Sequence, residues 1–183
     1  MYLPPRLRVD EQGLTAAFIL SGRSSCPRAH VGCVLYDHNK VVVCSGYNGV
    51  PSGEPQCDEV GCVMVDGHCS RTVHAEKNAI EFAKSRGVES LPGGYAFITI
   101  RPCTKCFNEL VDFGIKFIFF LNDYDNQDDR KRMDEVCRKE GIVLKQSEHD
   151  IVYLLQKVVK FHQGPGGLFV KRQGIQVIET KPD

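Results

Sequence analysis

Four residues in two short motifs could together perform metal-dependent hydrolysis. His74 and Glu76 stand in "TVHAEKNAI", and Cys103 and Cys106 stand in "RPCTKC". A Cys-x-x-Cys pair within one helical turn places two sulfurs on the same face, at about the separation that one tetrahedral Zn²⁺ needs. With His74 the site would have three protein ligands and a fourth position for water, which is typical of a catalytic zinc. Glu76 would then lie beside that water, where a carboxylate can move protons.

The elements that must position these residues alternate along the chain. Apolar periodicity predicts helices at 10–22, 74–86, 102–114, 128–140 and 150–162. Strands are predicted at 30–37, 41–48, 95–100, 116–121 and 142–146, with two strand-like pieces in the tail after "GPGG". Strands alternating with helices indicate an α/β layered fold. If the helices that begin near His74 and Pro102 pack side by side on one sheet, their N-termini converge and bring the histidine to the cysteines.

Composition narrows the classes of partner. Lys+Arg and Asp+Glu both number 23, so the chain lacks the basic charge expected of a protein that binds a polynucleotide. Apolar runs such as "FIFFL" are too short to span a membrane, and the N-terminus shows no secretory signal. We therefore expect a cytoplasmic protein with one domain over 1–183, a motif-bearing core at about 10–150 and a C-terminal extension at about 150–183. Its nine cysteines should stay reduced, which favours metal binding or catalysis over disulfides.

His-x-Glu followed by Pro-Cys-x-x-Cys is the signature of zinc-dependent nucleobase deaminases. Neither half is specific alone, since His-x-Glu is common at helix starts and Cys-x-x-Cys also occurs in redox and structural metal sites. Here a helix is predicted to begin at each half, and a buried strand is predicted before the cysteines. Together they favour a catalytic site over a structural Cys/His zinc site, which would have no use for Glu76.

Longer segments indicate which group of these deaminases the chain resembles. The segments "CPRAHVGCVL", "SGYNGVPSG", "GCVMVDGHCSRTVHAEKNAI", "RPCTKC" and "FGIKFIFF" are similar to deoxycytidylate deaminases, including bacterial and phage members and the ComE-operon group. The resemblance, over roughly residues 20–125, implies a three-layer α/β/α cytidine-deaminase-like fold with a five-stranded mixed sheet. It also implies zinc-dependent hydrolysis of dCMP to dUMP and ammonia in pyrimidine deoxynucleotide metabolism. His74, Cys103 and Cys106 match the family's zinc ligands, and Glu76 matches the residue that carries protons to N3 and to the leaving amine.

The resemblance further implies where the nucleotide binds. Asn48 of "GYNG" matches an asparagine at the nucleoside, where an amide can both donate and accept hydrogen bonds. Asn-Gly is also a common turn signal, and both roles are compatible. Tyr124, after the strand at 116–121, is a candidate for packing on the nucleotide, or else a half-buried edge residue. Candidates for the phosphate, each of which could equally be a solvated surface residue, are Arg28 first, with Ser24 and Arg23 nearby and Arg71 as an alternative.

Residues 48–73 form a long irregular stretch rich in Gly, Pro, Asp and Cys. A loop of that length is usually functional or held by something such as a metal. Members of the family can carry a second, structural zinc, and the chain offers five candidate ligands for four places. We favour Cys26, Cys57, Cys62 and Cys69, with His68 as a substitute or as a partner of a ligand. A closed four-ligand site would hold the loop, whereas unrelated reduced thiols would not.

Regulation is also part of the resemblance. The family includes enzymes that dCTP activates and dTTP inhibits at subunit contacts, often in hexamers. The chain is therefore expected to form a homo-oligomer, with a hexamer favoured, and Mg²⁺ could accompany a nucleoside triphosphate effector. The candidate effector residues are Tyr47, Gly49, Phe82, Lys84 and Arg86. The arginine expected three positions after Phe82 falls on Ser85, a departure from the family pattern that leaves the regulation open.

Other functions fit the residues less well. A tRNA adenosine deaminase should be more basic, and a polynucleotide cytidine deaminase would need basic channels with aromatic platforms, whereas this chain is neutral and has no Trp. A riboflavin-pathway deaminase usually carries a fused reductase domain. Two alternatives stay open: an enzyme that also accepts dCTP or a modified dCMP, and a non-catalytic zinc- or nucleotide-binding module, against which Glu76 argues.

Overall fold

The structure alternates strands and helices, as the sequence pattern predicts. The computed structural model describes residues 6–65, 68–123, 127–164 and 167–168, without the side chains of His68 and of residues 127–129. The strands are β1 (Gly32–Tyr36), β2 (Val42–Tyr47), β3 (Met64–Val65), β4 (His68–Cys69), β5 (Gly94–Ile100), β6 (Ile115–Asn122) and β7 (Val143–Gln146). The helices are α1 (Val9–Ser21), α2 (Cys57–Val60), α3 (Ala75–Lys84), α4 (Thr104–Asp112), α5 (Gln127–Glu140) and α6 (Ile151–Gln163).

Five strands form one mixed sheet in the order β2-β1-β5-β6-β7. Strand β1 runs antiparallel to both β2 and β5, whereas β6 runs parallel to both β5 and β7. Strands β3 and β4 form a separate antiparallel pair. The sheet is therefore the five-stranded mixed sheet that the family resemblance implies, and the predicted α/β class is confirmed.

Alternate residues of the sheet face two helical layers. On β1, Cys33 and Leu35 belong to a core shared with α3, α4 and α5, whereas Val34 and Tyr36 belong to a second core shared with α1 and α6. This division follows from the two-residue period of a strand. All of β1 is buried, as expected for a strand covered on both faces. The result is a three-layer α/β/α arrangement with α3 and α4 on the same side of the sheet.

Helix α3 packs directly on β2, and this contact fixes the helix that follows His74. Gly46 faces the backbone of α3, and a Cβ atom at this position would overlap the Ala75 carbonyl oxygen and the Ala79 amide nitrogen. Only glycine lets strand and helix approach this closely. The predicted apolar face of α3 is buried at Ala75, Ala79, Ile80 and Ala83.

Two local predictions differ from the structure. Periodicity predicts that Phe18 faces inward, but its side chain is 39% exposed, because the buried stripe of α1 follows Leu14, Ala17 and Ser21. The stretch 48–73, predicted to be irregular, contains α2 and the β3–β4 pair. The strand-like pieces of the tail after "GPGG" fall almost wholly outside the described residues. None of the described helices is long and apolar enough to cross a membrane.

Candidate active site and metal centres

His74, Cys103 and Cys106 come together where two helices begin. His74 directly precedes α3 and Cys103 directly precedes α4, each with extended backbone angles (φ −69°, ψ 152° and φ −69°, ψ 163°). Each is therefore the N-cap residue of its helix, and the two helix starts lie side by side. The His74 Nδ1 atom lies 3.2 Å from the Cys106 Sγ atom and 3.7 Å from the Cys103 Sγ atom.

These three donor atoms fit a zinc ion. They all lie within 4.8 Å of one another. Tetrahedral coordination with Zn–S bonds of about 2.3 Å and Zn–N bonds of about 2.0 Å puts neighbouring ligand atoms about 3.5–3.8 Å apart, close to the two Nδ1–Sγ distances. One imidazole nitrogen and two sulfurs would leave a fourth position for a water or a substrate atom.

The cysteine pair also favours a thiolate, the form that binds a metal. A hydrogen bond from Cys106 lowers the pKa of Cys103 to about 4, against the opposing effect of burial and with further help from His74. The pKa of Cys106 is raised, because its thiol hydrogen-bonds the Cys103 sulfur and because it is buried. Of the two sulfurs, Cys103 is therefore the one that ionises more readily.

Glu76 brings a buried carboxyl group to the same place. Its residue, in the first turn of α3, is only 3% exposed. Burial raises the pKa of Glu76 to about 7, although its own backbone and His74 act in the opposite direction. A carboxyl group with a pKa near neutrality can both accept and donate a proton at physiological pH. Glu76 is not one of the three grouped donor atoms, which leaves it available for proton transfer.

A cavity of about 300 Å³ lies beside these residues. Its lining includes His74, Glu76 and Cys103 on one side, together with the polar residues Arg28, Asn48, Thr72 and Arg101. A volume of this order is at the lower end of what small-molecule sites occupy. The cavity therefore offers one small ligand simultaneous access to the donor cluster, the buried carboxyl group and two guanidinium groups.

Asn48 is held rigidly at the wall of this cavity. The residue is 7% exposed, and its Oδ1 atom accepts a hydrogen bond from the Val31 N–H at 2.8 Å. Its Nδ2 atom donates to the Ala29 carbonyl oxygen at 2.8 Å. Because an amide has two donor hydrogens and two acceptor lone pairs, one of each remains for a ligand. The turn role and the binding role that the sequence suggests are thus compatible.

The phosphate candidates separate in the structure. Arg28 lines the active-site cavity, whereas Ser24 and Arg23 line a different one. The Arg71 guanidinium donates to the Pro55 carbonyl oxygen, in the segment 50–69 that is called here the cysteine-rich loop. Of these four residues, Arg28 is the one placed to meet a ligand in the active-site cavity. Tyr124 lies outside the described residues.

Arg101 is a cavity residue that the sequence interpretation missed. Its guanidinium lies 3.8 Å from an oxygen of Asp123 and 4.0 Å from one of Asp134, and over the ring of Phe120. The residue directly follows β5 and directly precedes Pro102. Its place at the end of a buried strand is the signal that could have found it, because ligands of open α/β sheets bind beyond the carboxyl ends of the strands.

A second group of sulfurs lies in the loop between β2 and α3. The Sγ atoms of Cys57, Cys62 and Cys69 lie within 4.8 Å of one another, and those of Cys57 and Cys69 are 3.7 Å apart. Burial opposes ionisation of Cys69, but hydrogen bonds from the Arg71 backbone and from the other two thiols lower its pKa to about 7. Three close sulfurs with backbone hydrogen bonds to one of them fit a zinc ion.

The fourth favoured cysteine stands apart from this group. Cys26 is buried and lines the active-site cavity with Cys69, but its sulfur is not among the atoms within 4.8 Å of one another. The side chain of His68 lies outside the described residues. The structure thus brings together three of the four cysteines that the sequence favours for a second metal.

A second cavity, of about 910 Å³, lies between the end of α1, the loop after β2 and α3. Tyr47, Gly49 and Phe82 contribute to its lining. The Arg86 guanidinium lies 4.5 Å from the centroid of the Phe82 ring, and Lys84 is exposed near the end of α3. The effector candidates therefore divide into three residues that line a cavity and two basic residues beside it.

Comparison with known proteins gives consistent matches. ComE operon protein 2 of Bacillus subtilis is 32% identical over 79% of this chain and 74% of its own length. The deoxycytidylate deaminase of Enterobacteria phage T2 is 26% identical over 70% of this chain and 87% of its own. A crystal structure of dCMP deaminase from the cyanophage S-TIM5, in complex with dCMP and dUMP, superposes with a TM-score of 0.63 at 27% identity, covering 78% of this chain and 99% of that one.

The model of the cytidine and deoxycytidylate deaminase zinc-binding region matches residues 7–122. That segment spans well over half of the chain and contains the His74, Cys103 and Cys106 cluster, Glu76 and Asn48. The sheet order, the donor cluster and the sequence match agree, and the chain belongs to the cytidine and deoxycytidylate deaminase family.

Proposed function

We propose that this protein hydrolyses dCMP to dUMP and ammonia, with zinc held by His74, Cys103 and Cys106. The observation that carries the proposal is the buried Glu76 carboxyl group, which lines the cavity of about 300 Å³ together with His74 and Cys103. The dCMP complex of the cyanophage enzyme and the phage T2 deoxycytidylate deaminase support dCMP as the substrate.

The protein's own residues would divide the reaction as follows. The zinc, when bound, supplies a water that can act as a nucleophile at neutral pH. Glu76 would take one proton from that water and pass it to N3 of the cytosine as the water oxygen bonds to C4. It would then take the second proton from the same oxygen and give it to the 4-amino group, so that the C4–N bond breaks, ammonia leaves and the C4 carbonyl of dUMP remains. A pKa of about 7 suits both directions of proton transfer. Asn48 uses its remaining amide hydrogen and lone pair on the sugar or the base edge. Arg28 binds the 5′-phosphate with its guanidinium.

A substrate panel tests the proposal. Ammonia release is measured with dCMP, dCTP, CMP, deoxycytidine, a 5-substituted dCMP and a tRNA. We expect dCMP to react fastest. Glu76→Gln should lose activity by about 10²–10⁴-fold and keep its zinc, and Glu81→Gln, on the exposed side of the same helix, should behave as wild type. Ammonia release from the tRNA and from none of the nucleotides would contradict the proposal, as would wild-type activity in Glu76→Gln. Binding of dCMP without ammonia would instead indicate a nucleotide-binding module.

A second zinc at Cys57, Cys62 and Cys69 is part of the same proposal, with Cys26 or His68 as the fourth ligand. Support comes from the closeness of the three sulfurs and from the free state of all nine cysteines, which also suits a reducing cytoplasm. Elemental analysis should give two zincs per chain, and one in Cys57→Ser. Comparing Cys26→Ser with His68→Ala identifies the fourth ligand, and one zinc in the wild type would remove the second site.

We also propose an effector site in the second cavity and assembly into a homo-oligomer, with a hexamer favoured. The cavity of about 910 Å³ and the exposed Phe82 beside it support a nucleotide at a subunit contact. The expected result is activation by dCTP with Mg²⁺ and inhibition by dTTP, both reduced in Phe82→Ala. Light scattering reports the assembly. A monomeric protein whose deaminase activity neither dCTP nor dTTP changes would contradict this part of the proposal but not the proposed deamination.

A further inference from the structure

Residues 69–74, called here the connecting segment, join the cysteine group to the active site. At one end the Cys69 sulfur lies in the group with Cys57 and Cys62, and at the other the His74 nitrogen lies in the group with Cys103. Only four residues separate the two ends. A displacement of Cys69 therefore reaches Thr72, three positions further on, through a short length of backbone.

The connecting segment is also a wall of the active-site cavity. Cys69, Thr72 and His74 all line it. The Thr72 hydroxyl donates to the Cys69 carbonyl oxygen at 3.2 Å. The position of Cys69 thus fixes the orientation of the Thr72 side chain, which faces the place where a ligand would lie.

The two halves of this segment have different supports. Its second half is anchored to the segment just after β2, because Val73 exchanges two backbone hydrogen bonds with Gly49, at 2.9 and 3.2 Å. Its first half is anchored to the cysteine-rich loop, since the Ser70 N–H donates to the Val63 carbonyl at 2.8 Å. The position of Thr72 therefore depends on how firmly the cysteine-rich loop is fixed to the rest of the protein.

Apolar packing contributes little to holding the cysteine-rich loop. Its large apolar side chains are mostly exposed, namely Val60, Val63, Met64 and Val65. Cys57 and Cys69, by contrast, are buried. The loop also accepts hydrogen bonds from the Ser25 hydroxyl at Gln56 and from the Arg28 guanidinium at Met64. A metal that joined the buried sulfurs would add to these contacts and stabilise the loop directly.

We propose that metal bound at the Cys57, Cys62 and Cys69 group sets the affinity of the active site for its nucleotide, acting through the connecting segment. This inference rests on the proposed function. The catalytic step should be spared, because His74 and Glu76 are held by α3, whose buried face packs on the sheet independently of the cysteine-rich loop. Cys62 and Thr72 are thus positioning residues, and the signature of their role is a change in KM without a change in kcat.

The experiment compares Cys62→Ser with Cys62→His, which keeps a metal ligand, and with Cys137→Ser on the distant helix α5. Zinc content, affinity for dUMP by calorimetry, and kcat and KM for dCMP are measured on each purified protein. We expect Cys62→Ser to lose one zinc, to bind dUMP about tenfold more weakly and to raise KM by the same factor with kcat unchanged, as for the loss of one or two hydrogen bonds. Cys62→His should restore zinc and affinity, and Cys137→Ser should match wild type.

A second variant keeps the test independent of the folding of Cys62→Ser. Thr72→Val retains every cysteine and removes only the hydroxyl, and its dUMP affinity should fall about threefold at full zinc content. Unchanged dUMP affinity in Cys62→Ser after loss of its zinc, or in Thr72→Val, overturns the inference. If the wild type neither binds dUMP nor deaminates dCMP, the proposed function itself fails, which calorimetry on the wild type shows separately.

Discussion

The His74 Nδ1 atom lies 3.2 Å from the Cys106 Sγ atom, although Cys106 comes 32 positions after His74 along the chain. Two helices that start at the same edge of one sheet create this contact. The imidazole directly precedes α3, and the two sulfurs lie at the start of α4. The site therefore depends on how accurately these two helices pack.

Removal of one donor should abolish metal binding at this site. In Cys106→Ser the remaining His74 and Cys103 give only two strong ligands, and we expect loss of the catalytic zinc together with deaminase activity. Cys44→Ser is the control, because Cys44 is a buried thiol of β2 outside both sulfur groups. Elemental analysis and ammonia release check both variants. Full activity in Cys106→Ser would show that the zinc ligands have been misassigned.

The contact of β2 with α3 should limit substitution at Gly46. In Gly46→Ala the new methyl group meets the backbone of α3 at Ala75 and Ala79, so the helix must shift. We expect the free energy of unfolding to fall by about 1–3 kcal/mol, with weaker zinc binding because His74 moves with the helix. The matched control is Gly49→Ala, whose Cβ would lie 3.6 Å from its nearest neighbour. Denaturant titration and zinc titration measure the two effects, and equal stability of the two variants contradicts the prediction.

Asn48 should contribute to both stability and affinity. In Asn48→Ala the part-buried Val31 N–H and Ala29 carbonyl lose their partner, which should cost about 1–3 kcal/mol of stability. The KM for dCMP should rise as well, because the amide faces the cavity. Asn78→Ala, which loses one exposed hydrogen bond to the Tyr47 carbonyl, should change stability much less. Thermal unfolding and steady-state kinetics provide the measurements. A normal KM in Asn48→Ala would restrict the residue to its turn role.

A buried ion pair between α1 and α6 should make stability depend on pH. The Lys157 ammonium donates to both carboxylate oxygens of Glu11, at 2.6 and 2.7 Å. Burial alone would raise the pKa of Glu11, but the hydrogen bond from Lys157 and one from the Arg8 backbone hold it below its usual value. The stabilisation is therefore complete above the unfolded-state pKa, near 4.5, and is lost as the pH falls through the lower folded-state pKa.

Glu11→Gln measures this contribution. We expect the variant to be less stable than wild type by about 2–3 kcal/mol at pH 7, and the difference to shrink below about pH 4.5. The control is Glu148→Gln, whose ion pair with Lys145 is exposed on both sides and should add nothing measurable. Denaturant unfolding between pH 3 and pH 8 checks both curves. A stability difference that stays constant down to pH 3 would contradict the role assigned to Glu11.

Local sequence signals were sufficient for the α/β class and for the donor cluster, whereas the five-stranded mixed sheet was predicted from the family resemblance. The helix starts at His74 and Cys103 follow strong patterns, and their convergence follows from packing two helices on one face of a sheet. The buried face of α3 repeats every three to four residues, so its orientation could also be predicted. These features depend on interactions close in sequence or on a general rule of α/β packing.

Other features depend on contacts that no local pattern encodes. Ser24 faces the second cavity although Arg28, four positions further on, faces the first. Cys26 likewise lies outside the group of three sulfurs. The spacing of the cysteines in the sequence does not indicate which sulfurs the folded loop brings together. Such placements are set by tertiary geometry rather than by residue type or periodicity.

The mutual hydrogen bonds of Gly49 and Val73 close the ends of residues 50–72 upon each other. A segment whose ends are joined in this way can change in length and sequence at a small entropic cost to the rest of the fold. Residues 50–72 contain the three-sulfur group and also Thr72, which forms part of one cavity wall. They contain none of the residues proposed for proton transfer or for binding the catalytic zinc. Exchanging this segment between relatives should therefore change how tightly the nucleotide binds, while the residues proposed for deamination, at the starts of α3 and α4, stay in place.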